Sequence, residues 1–290
     1  MLTIARDTIT LLRFPFSILL APVYLLALSQ APVIDTVAAI WTFTILHLLV
    51  YPASNGYNSY VDRDTASIGG LESPPQPTIL LYYVTLALDF CAILLSALFV
   101  GFHFALLVIP YIIASRAYSS PGIRLKKYPF ISFFTVVFFQ GAYACYLSLS
   151  GIAGKPFLPD GALTLLLVAC SFQIAGAYPL TQVYQHHQDR EAGVETISMR
   201  LGVKGTFVFS ALMFTGSGII YSLYFTQRDL ADHFVIVAAC FVPVLVYSSV
   251  WFRQVLRDRS AADHKRTMIM SQLSAVVMIA CFVTLFFLRK

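Results

Sequence analysis

The stretch Tyr51-Pro52-Ala53-Ser54-Asn55-Gly56-Tyr57-Asn58-Ser59-Tyr60-Val61-Asp62-Arg63-Asp64 recurs in register as Tyr178-Pro179-Leu180-Thr181-Gln182-Val183-Tyr184-Gln185-His186-His187-Gln188-Asp189-Arg190-Glu191. The Tyr-Pro pair, the second tyrosine and the Asp-Arg pair are identical in the two copies. Asn55 and Asn58 become Gln182 and Gln185, and Asp64 becomes Glu191. Asn55, Asn58 and Asp62 are spaced three and four apart, which on a helix puts two amides and a carboxylate on one face. Each copy is therefore expected to close an apolar helix with a polar stripe that leads into an acid-base-acid cluster. Two such clusters on duplicated helices suit the grip of a metal-bound anion from both sides.

Outward from these motifs the chain is strongly apolar. Of 290 residues, 58% are hydrophobic and 11% charged, with a mean hydropathy of +0.77; a soluble domain carries roughly 25% charge. Runs of the length that crosses a bilayer, about 20 residues, fall near 8–29, 36–57, 79–100, 102–118, 130–149, 161–184, 206–226, 233–252 and 268–288. The expected fold is all-α, a polytopic membrane bundle of nine transmembrane helices. The first run lacks a small-residue cleavage pattern and is read as a helix, not a removable signal.

Orientation follows from the basic residues. With the N-terminus in the cytoplasm, the inner segments collect Arg6, Arg63, Arg116, Arg124, Lys126, Lys127, Arg190, Arg200, Lys204, Arg253, Arg257, Arg259, Lys265 and Arg266. The outer segments hold only Lys155, Arg228, Arg289 and Lys290. The bias predicts a cytoplasmic N-terminus and places both motifs, hence the active site, on the cytoplasmic side. The net charge of +5 reflects this topology, and no nucleic-acid partner is expected. Cys91, Cys145, Cys170, Cys240 and Cys281 lie in predicted spans without metal-ligand spacing and read as packing residues.

No linker divides the chain, so residues 1–290 are expected to form one membrane domain. The offset between motifs carries the second helix onto the sixth and implies four-helix repeats near 8–127 and 130–255, with a ninth helix appended. An even repeat keeps both copies in the same orientation, so the clusters would face one central cavity. The loops after Asp62, around Tyr118 to Pro129 and after Asp189 carry the chemistry. The basic loop from Arg253 to Arg266 is assigned to topology and to membrane-lipid headgroups.

Asp62, Asp64, Asp189 and Glu191 would repel one another unless cations neutralise them. Magnesium is the expected partner, because it takes oxygen ligands and bridges a few carboxylates to phosphates. Asn55, Asn58, Gln182 and Gln185 are placed inside the spans, one to two turns deeper than the acids, where they would orient the carboxylates or a substrate headgroup, or pair between helices. Arg124, Lys126 and Lys127 would offset the charge of a departing diphosphate. Arg13 lies in the first span and is a candidate for function, or for snorkelling to the interface. Asp89 sits mid-span with no base near it in sequence. His47 and His103 read as core histidines, while His186 or His187 is a candidate proton acceptor. The many phenylalanines and tyrosines suit membrane packing, and some would face a carbocation.

At these residues the chain resembles the UbiA-type intramembrane prenyltransferases. The resemblance rests on nine spans and an acidic motif after the second. It rests also on a Tyr-Ser-x-Pro-x-x-Arg-Leu-Lys loop from Tyr118 to Lys126 after the fourth span. After the sixth comes the second acidic motif, continuing through Asp189-Arg190-Glu191-Ala192-Gly193-Val194-Glu195-Thr196 to Arg200-Leu201-Gly202. It implies that magnesium and the diphosphate of a polyprenyl donor bind at the two motifs, and that ionisation yields an allylic cation that alkylates an acceptor.

On this reading Asp62, Asp189, Lys126 and Tyr118 are catalytic. Metal falls to Asp62, Asp64, Asp189, Glu191 and Asn58. Substrate contacts fall to Asn55, Asn58, Arg63, Arg124, Lys127, Gln182, Gln185, Arg190 and Arg13. The chain departs from the family where Ser59 and Ala66 stand at the flanking acid positions of the first motif and Gln185 at the earlier acid of the second. A UbiA-like terpene cyclase and a transporter or lipid-binding protein are the competing readings, and the acceptor is not identified.

Overall fold

The computed structural model describes residues 2–156 and 158–289, which are helical apart from their connections and one isolated bridge between Ile68 and Leu71. Lys290, counted above among the outer basic residues, lies outside the described residues. Among the described residues nine helices are long and apolar enough to cross a membrane: Thr3–Gln30, Thr36–Asp62, Ile79–Phe99, Phe102–Ser119, Pro129–Ala153, Gly161–Leu180, Ile197–Gln227, Ala231–Arg257 and His264–Leu288. They are called the first to ninth spans.

The third and fourth spans, nearly continuous in sequence, are separated at Gly101, whose φ of 137° excludes a side chain. The seventh span begins at Ile197, earlier than hydropathy alone suggests, because a polar first turn capped by the Thr196 hydroxyl precedes the apolar run. Gly202, at φ 66° and ψ 165°, interrupts that helix one turn after its start.

The chain sorts into two compact units. One comprises Met1–Leu125 with Leu147–Phe157, the other Lys126–Tyr146 with Leu158–Lys290, so the fifth span is divided between them.

In the first unit, a π-helical turn at Leu46–Val50 precedes the motif helix Tyr51–Asp62. The wider turn lets Pro52, which has no N–H to donate, fall in the first turn of the motif helix. Gly56 then faces its neighbours so closely that a Cβ there would lie 2.8 Å from both Leu12 Cδ2 and Thr85 Cγ2. Close approach through a small residue is how helices gain packing inside a bilayer. Leu11, Leu12 and Leu81 form the core beside it.

In the second unit, the sixth and seventh spans exchange glycines for rings. A Cβ at Gly176 would meet Phe214 Cδ1 at 2.9 Å, and one at Gly216 would meet Phe172 Cδ1 at 2.8 Å. Asp160 caps the sixth span through Leu163 N, and its two carboxylate oxygens accept from Arg228 Nη2 at 2.9 and 2.7 Å. The Leu163 amide, then Arg228, hold its carboxyl below the usual carboxylate range.

Candidate active site

The first acidic motif is held by helix geometry and hydrogen bonds within the first unit. Asn58 donates through Nδ2 to Asp62 Oδ2 at 2.8 Å and to Ser119 Oγ at 2.9 Å. The amide fixes the carboxylate of its own helix, one turn on, and ties it to the end of the fourth span. Ser115 donates to Ser54 at 2.6 Å with the same sequence offset of 61, so the second and fourth spans share a polar seam. Between these two bonds the Arg116 guanidinium covers the Tyr57 ring at 4.2 Å and pairs with Asp89 of the third span, its Nε lying 2.8 Å from Oδ2. Arg116 also donates to Thr85 Oγ1 at 3.2 Å. Asp89 thus finds its base 27 residues away, where sequence proximity gave no sign of it.

Three of the arginines expected at the site have left-handed backbones: Arg13 at φ 51°, Arg63 at φ 52° and Arg124 at φ 48°. Such conformations cost of order 1–2 kcal/mol for a residue with a side chain and concentrate at functional sites. Arg63 ends the motif helix and turns the chain, so that Asp64 leaves the helix axis half-buried while the guanidinium lies over Tyr60 at 5.9 Å.

Arg13 interrupts the first span, and its side chain is buried at 7% exposure, so it does not snorkel. It donates to Asn55 O at 3.0 Å and to Gly69 O at 3.1 Å, tying the motif helix to the loop that follows it. Asn55 in turn donates to Ser17 Oγ at 3.3 Å. Tyr118 sits half-buried in the last turn of the fourth span, and Arg124 follows in a turn closed by its own N–H on Ser120 O at 2.7 Å.

The second unit builds its motif differently, which corrects the expectation that Gln182 and Gln185 lie inside a helix running to residue 184. The sixth span stops at Leu180. Thr181 folds its hydroxyl back onto Tyr178 O at 2.7 Å, and the amides of Thr181 and Gln182 bond three residues back, to Tyr178 O and Pro179 O. This tightens the turn and competes with the helix. Gln182 is buried, and its Oε1 takes no hydrogen bond among the described residues. Gln185 opens a short helix, His186–Glu191, and its carbonyl accepts from Asp189 N at 2.8 Å.

Asp189 is half-buried on that helix, whereas Arg190 and Glu191 are exposed. The Glu191 carboxylate reaches back to His187 at 3.6 Å. His186 Nε2 meets Ser198 Oγ at 2.8 Å, and Ser198 meets Thr206 Oγ1 at 3.1 Å, both hydroxyls fully buried. Burial, then the charge of Arg190, push the His186 imidazole below its ordinary range. Lys126 is half-buried and Lys127 exposed in the turn Leu125–Lys127.

Among the described residues no three His, Cys, Asp or Glu side chains gather into a metal cage. The donors nonetheless suit magnesium, which is held through one or two carboxylates with phosphate oxygens and water completing its shell. In the first unit Asp62 is oriented by an amide and Asp64 follows two residues later; in the second Asp189 is half-buried. Absent from the expected site residues were Ser119 and the Arg116–Asp89 pair. Their signals were the offset shared with Ser54–Ser115 and the presence of two opposite charges inside spans.

A multi-pass helical membrane protein with paired acidic motifs is a well-defined class. The chain matches the UbiA prenyltransferase family over residues 16–275, and it belongs to that family. Its fold is similar to a UbiA homologue from Archaeoglobus fulgidus solved with GPP and Mg2+, with a TM-score of 0.69 at 16% identity, covering 97% of this chain and 99% of that one. The same homologue solved with DMAPP and Mg2+ gives 0.69 at 16% identity over 98% and 100% of the two chains. A structure described for digeranylgeranylglyceryl phosphate synthase in membranes gives 0.62 at 16% identity over 98% and 99%. None of the curated proteins compared with the chain matches it.

Proposed function

We propose that this protein transfers a prenyl group from a polyprenyl diphosphate to a small aromatic or lipid acceptor in a magnesium-dependent reaction. The observation that carries the reading is the Asn58–Asp62–Ser119 arrangement, an oriented carboxylate at the end of a membrane span in a member of a prenyltransferase family. Relatives of the same fold hold GPP or DMAPP with Mg2+.

Asp62 and Asp64 in the first motif, and Asp189 in the second motif, would serve as metal-binding carboxylates. Asn58 keeps Asp62 in place, and Glu191 adds charge from a more exposed position. Magnesium, when bound, supplies positive charge against the diphosphate oxygens. The C1–O bond of the donor breaks with its electron pair on the diphosphate, leaving an allylic cation; the acceptor adds to C1 and releases a proton. Arg124, Lys126 and Lys127 offset charge that grows on the leaving group, and Tyr118 donates a hydrogen bond to it. These contacts strengthen as the bond breaks, so their loss lowers turnover more than donor binding. Arg63, Arg190, Gln182 and Gln185 bind the headgroup, while Arg13 and Asn55 hold the motif helix against its loop. The distribution of basic residues supports a cytoplasmic N-terminus and cytoplasmic motifs.

The test is turnover of a series of prenyl diphosphates by purified protein with and without magnesium. Asp62→Asn and Asp189→Asn should each lose at least about 100-fold in turnover, the scale of deleting one preorganised group that stabilises transition-state charge. Full magnesium-dependent turnover in both would sink the assignment. Release of a cyclic product without any acceptor would replace it with a cyclase.

A further inference from the structure

The eighth span is the least buried of the nine. One stripe of it carries Val242, Val246 and Val250, all about half exposed, and continues through Arg253 and Arg257. The spacings of four, four, three and four keep these five side chains on one helix face. At 1.5 Å per residue the stripe is about 22 Å long, which matches one leaflet with its headgroups, half of roughly 40–45 Å.

The loop beyond the stripe is built rather than loose. Trp251 Nε1 donates to Ala261 O at 2.7 Å, Asp258 accepts from Ser260 N at 2.9 Å and from its hydroxyl, and Asp263 pairs with Arg266. Arg266 further donates to Gln254 Oε1 at 2.9 Å. Both loop carboxylates are thus engaged. Arg253 and Arg257 have no ion-pair or hydrogen-bond partner among the described residues, and Arg259 and Lys265 stand exposed nearby. On the seventh span, by contrast, Arg200 is taken by Glu195 at 2.8 Å.

We infer that this stripe is a site for one anionic phospholipid, its phosphate on Arg253 and Arg257 and an acyl chain along Val250, Val246 and Val242. Two arginines one turn apart present their donors to phosphate oxygens better than a single lysine does. A second copy of the chain is a poorer occupant, since a two-fold contact on this face would bring like charges together.

The full-length protein in mixed micelles, titrated with phosphatidylglycerol or phosphatidylcholine and read by native mass spectrometry, tests this. The wild type should retain phosphatidylglycerol preferentially. Each arginine near an anionic lipid is worth about fivefold in affinity, so Arg253→Gln with Arg257→Gln should reduce the preference about 25-fold. Arg257→Lys should keep most of it, and Arg200→Gln should leave it intact. Equal retention of the two lipids by the wild type would overturn the site. So would an undiminished preference in the double variant, or displacement of the lipid by inorganic phosphate at equal concentration. If the double variant does not fold, the single Arg257→Gln carries the same comparison, with about a fivefold loss expected.

Discussion

The two copies of the acidic motif start from nearly the same residues and reach different local structures. In the first, Tyr51–Asp62 is an unbroken helix whose Asn58 faces Asp62 one turn later. In the second, the helix stops at Leu180, five residues form a turn, and Asp189 rides on a separate short helix. The deciding residues are few. Gly56 lets its helix close on Leu12 and Thr85, whereas the matching residue, Val183, is buried beside Leu180, Phe207, Trp251 and Val255. Upstream, the π-turn at Leu46–Val50 positions Pro52 at a helix start, while Pro179 lies in the last turn of the sixth span. A shared motif fixes the order of chemical groups; the packing of one position decides whether helix or turn presents them.

Exchanging those residues tests this account, and the largest effect is expected here. Gly56→Val forces side-chain atoms into space already held by Leu12 and Thr85, and overpacking of this kind costs about 1–3 kcal/mol. Val183→Gly removes buried methyls and adds backbone freedom, for about 2–4 kcal/mol. Thermal unfolding in detergent should show both losses, and Gly56→Val should also lower prenyl transfer because it displaces Asn58 and Asp62. Wild-type stability in Gly56→Val would mean that the first copy tolerates what the second contains, and that packing does not separate them.

Much of the architecture was legible beforehand because a bilayer imposes length and apolarity on each span; nine spans were expected and nine are found among the described residues. The end of the sixth span was not legible, since Thr181, Gln182 and Val183 match helical Ser54, Asn55 and Gly56 and the turn depends on a core drawn from distant spans. The Asp89–Arg116 pair escaped for a related reason: its partners belong to different helices, and their pairing depends on how the third and fourth spans align. What sequence did reveal were residues whose cost must be justified locally, such as the amides and acids of the motifs.

A second contrast concerns anchoring. The first motif is tied to its unit through Asn58 and Ser119, the second through His186 and the buried Ser198. His186→Ala should cost about 1 kcal/mol, since Ser198 keeps Thr206 as a partner. The folded imidazole titrates below its ordinary value of 6.5, so the unfolded tract binds protons more readily than the folded one. Stability of the short helix is therefore complete above about pH 6.5 and falls as pH drops from there toward the lowered value. Amide protection across residues 186–196, taken relative to the intrinsic exchange rate at each pH, should fall between pH 7.5 and 5.5 in the wild type, and His186→Gln should flatten that dependence. Protection that falls equally in both would assign the effect to another group.

The smallest effect separates the last acids of the two clusters. Asp64 is half-buried just past a strained turn, while Glu191 is 71% exposed and reaches only toward His187, itself 89% exposed. An exposed pair of this kind contributes between nothing and about 1 kcal/mol. Glu191→Gln should consequently leave stability unchanged and alter turnover less than about threefold, because a charge held in high dielectric is largely screened. Asp64→Asn, removing a carboxylate from a less hydrated position next to Asp62, should raise the magnesium concentration needed for half-maximal turnover about 10-fold or more. Magnesium titrations of the two variants measure the difference directly. Equal shifts would give the two triplets equivalent third members despite their unequal exposure, and burial would no longer rank the acids of this site.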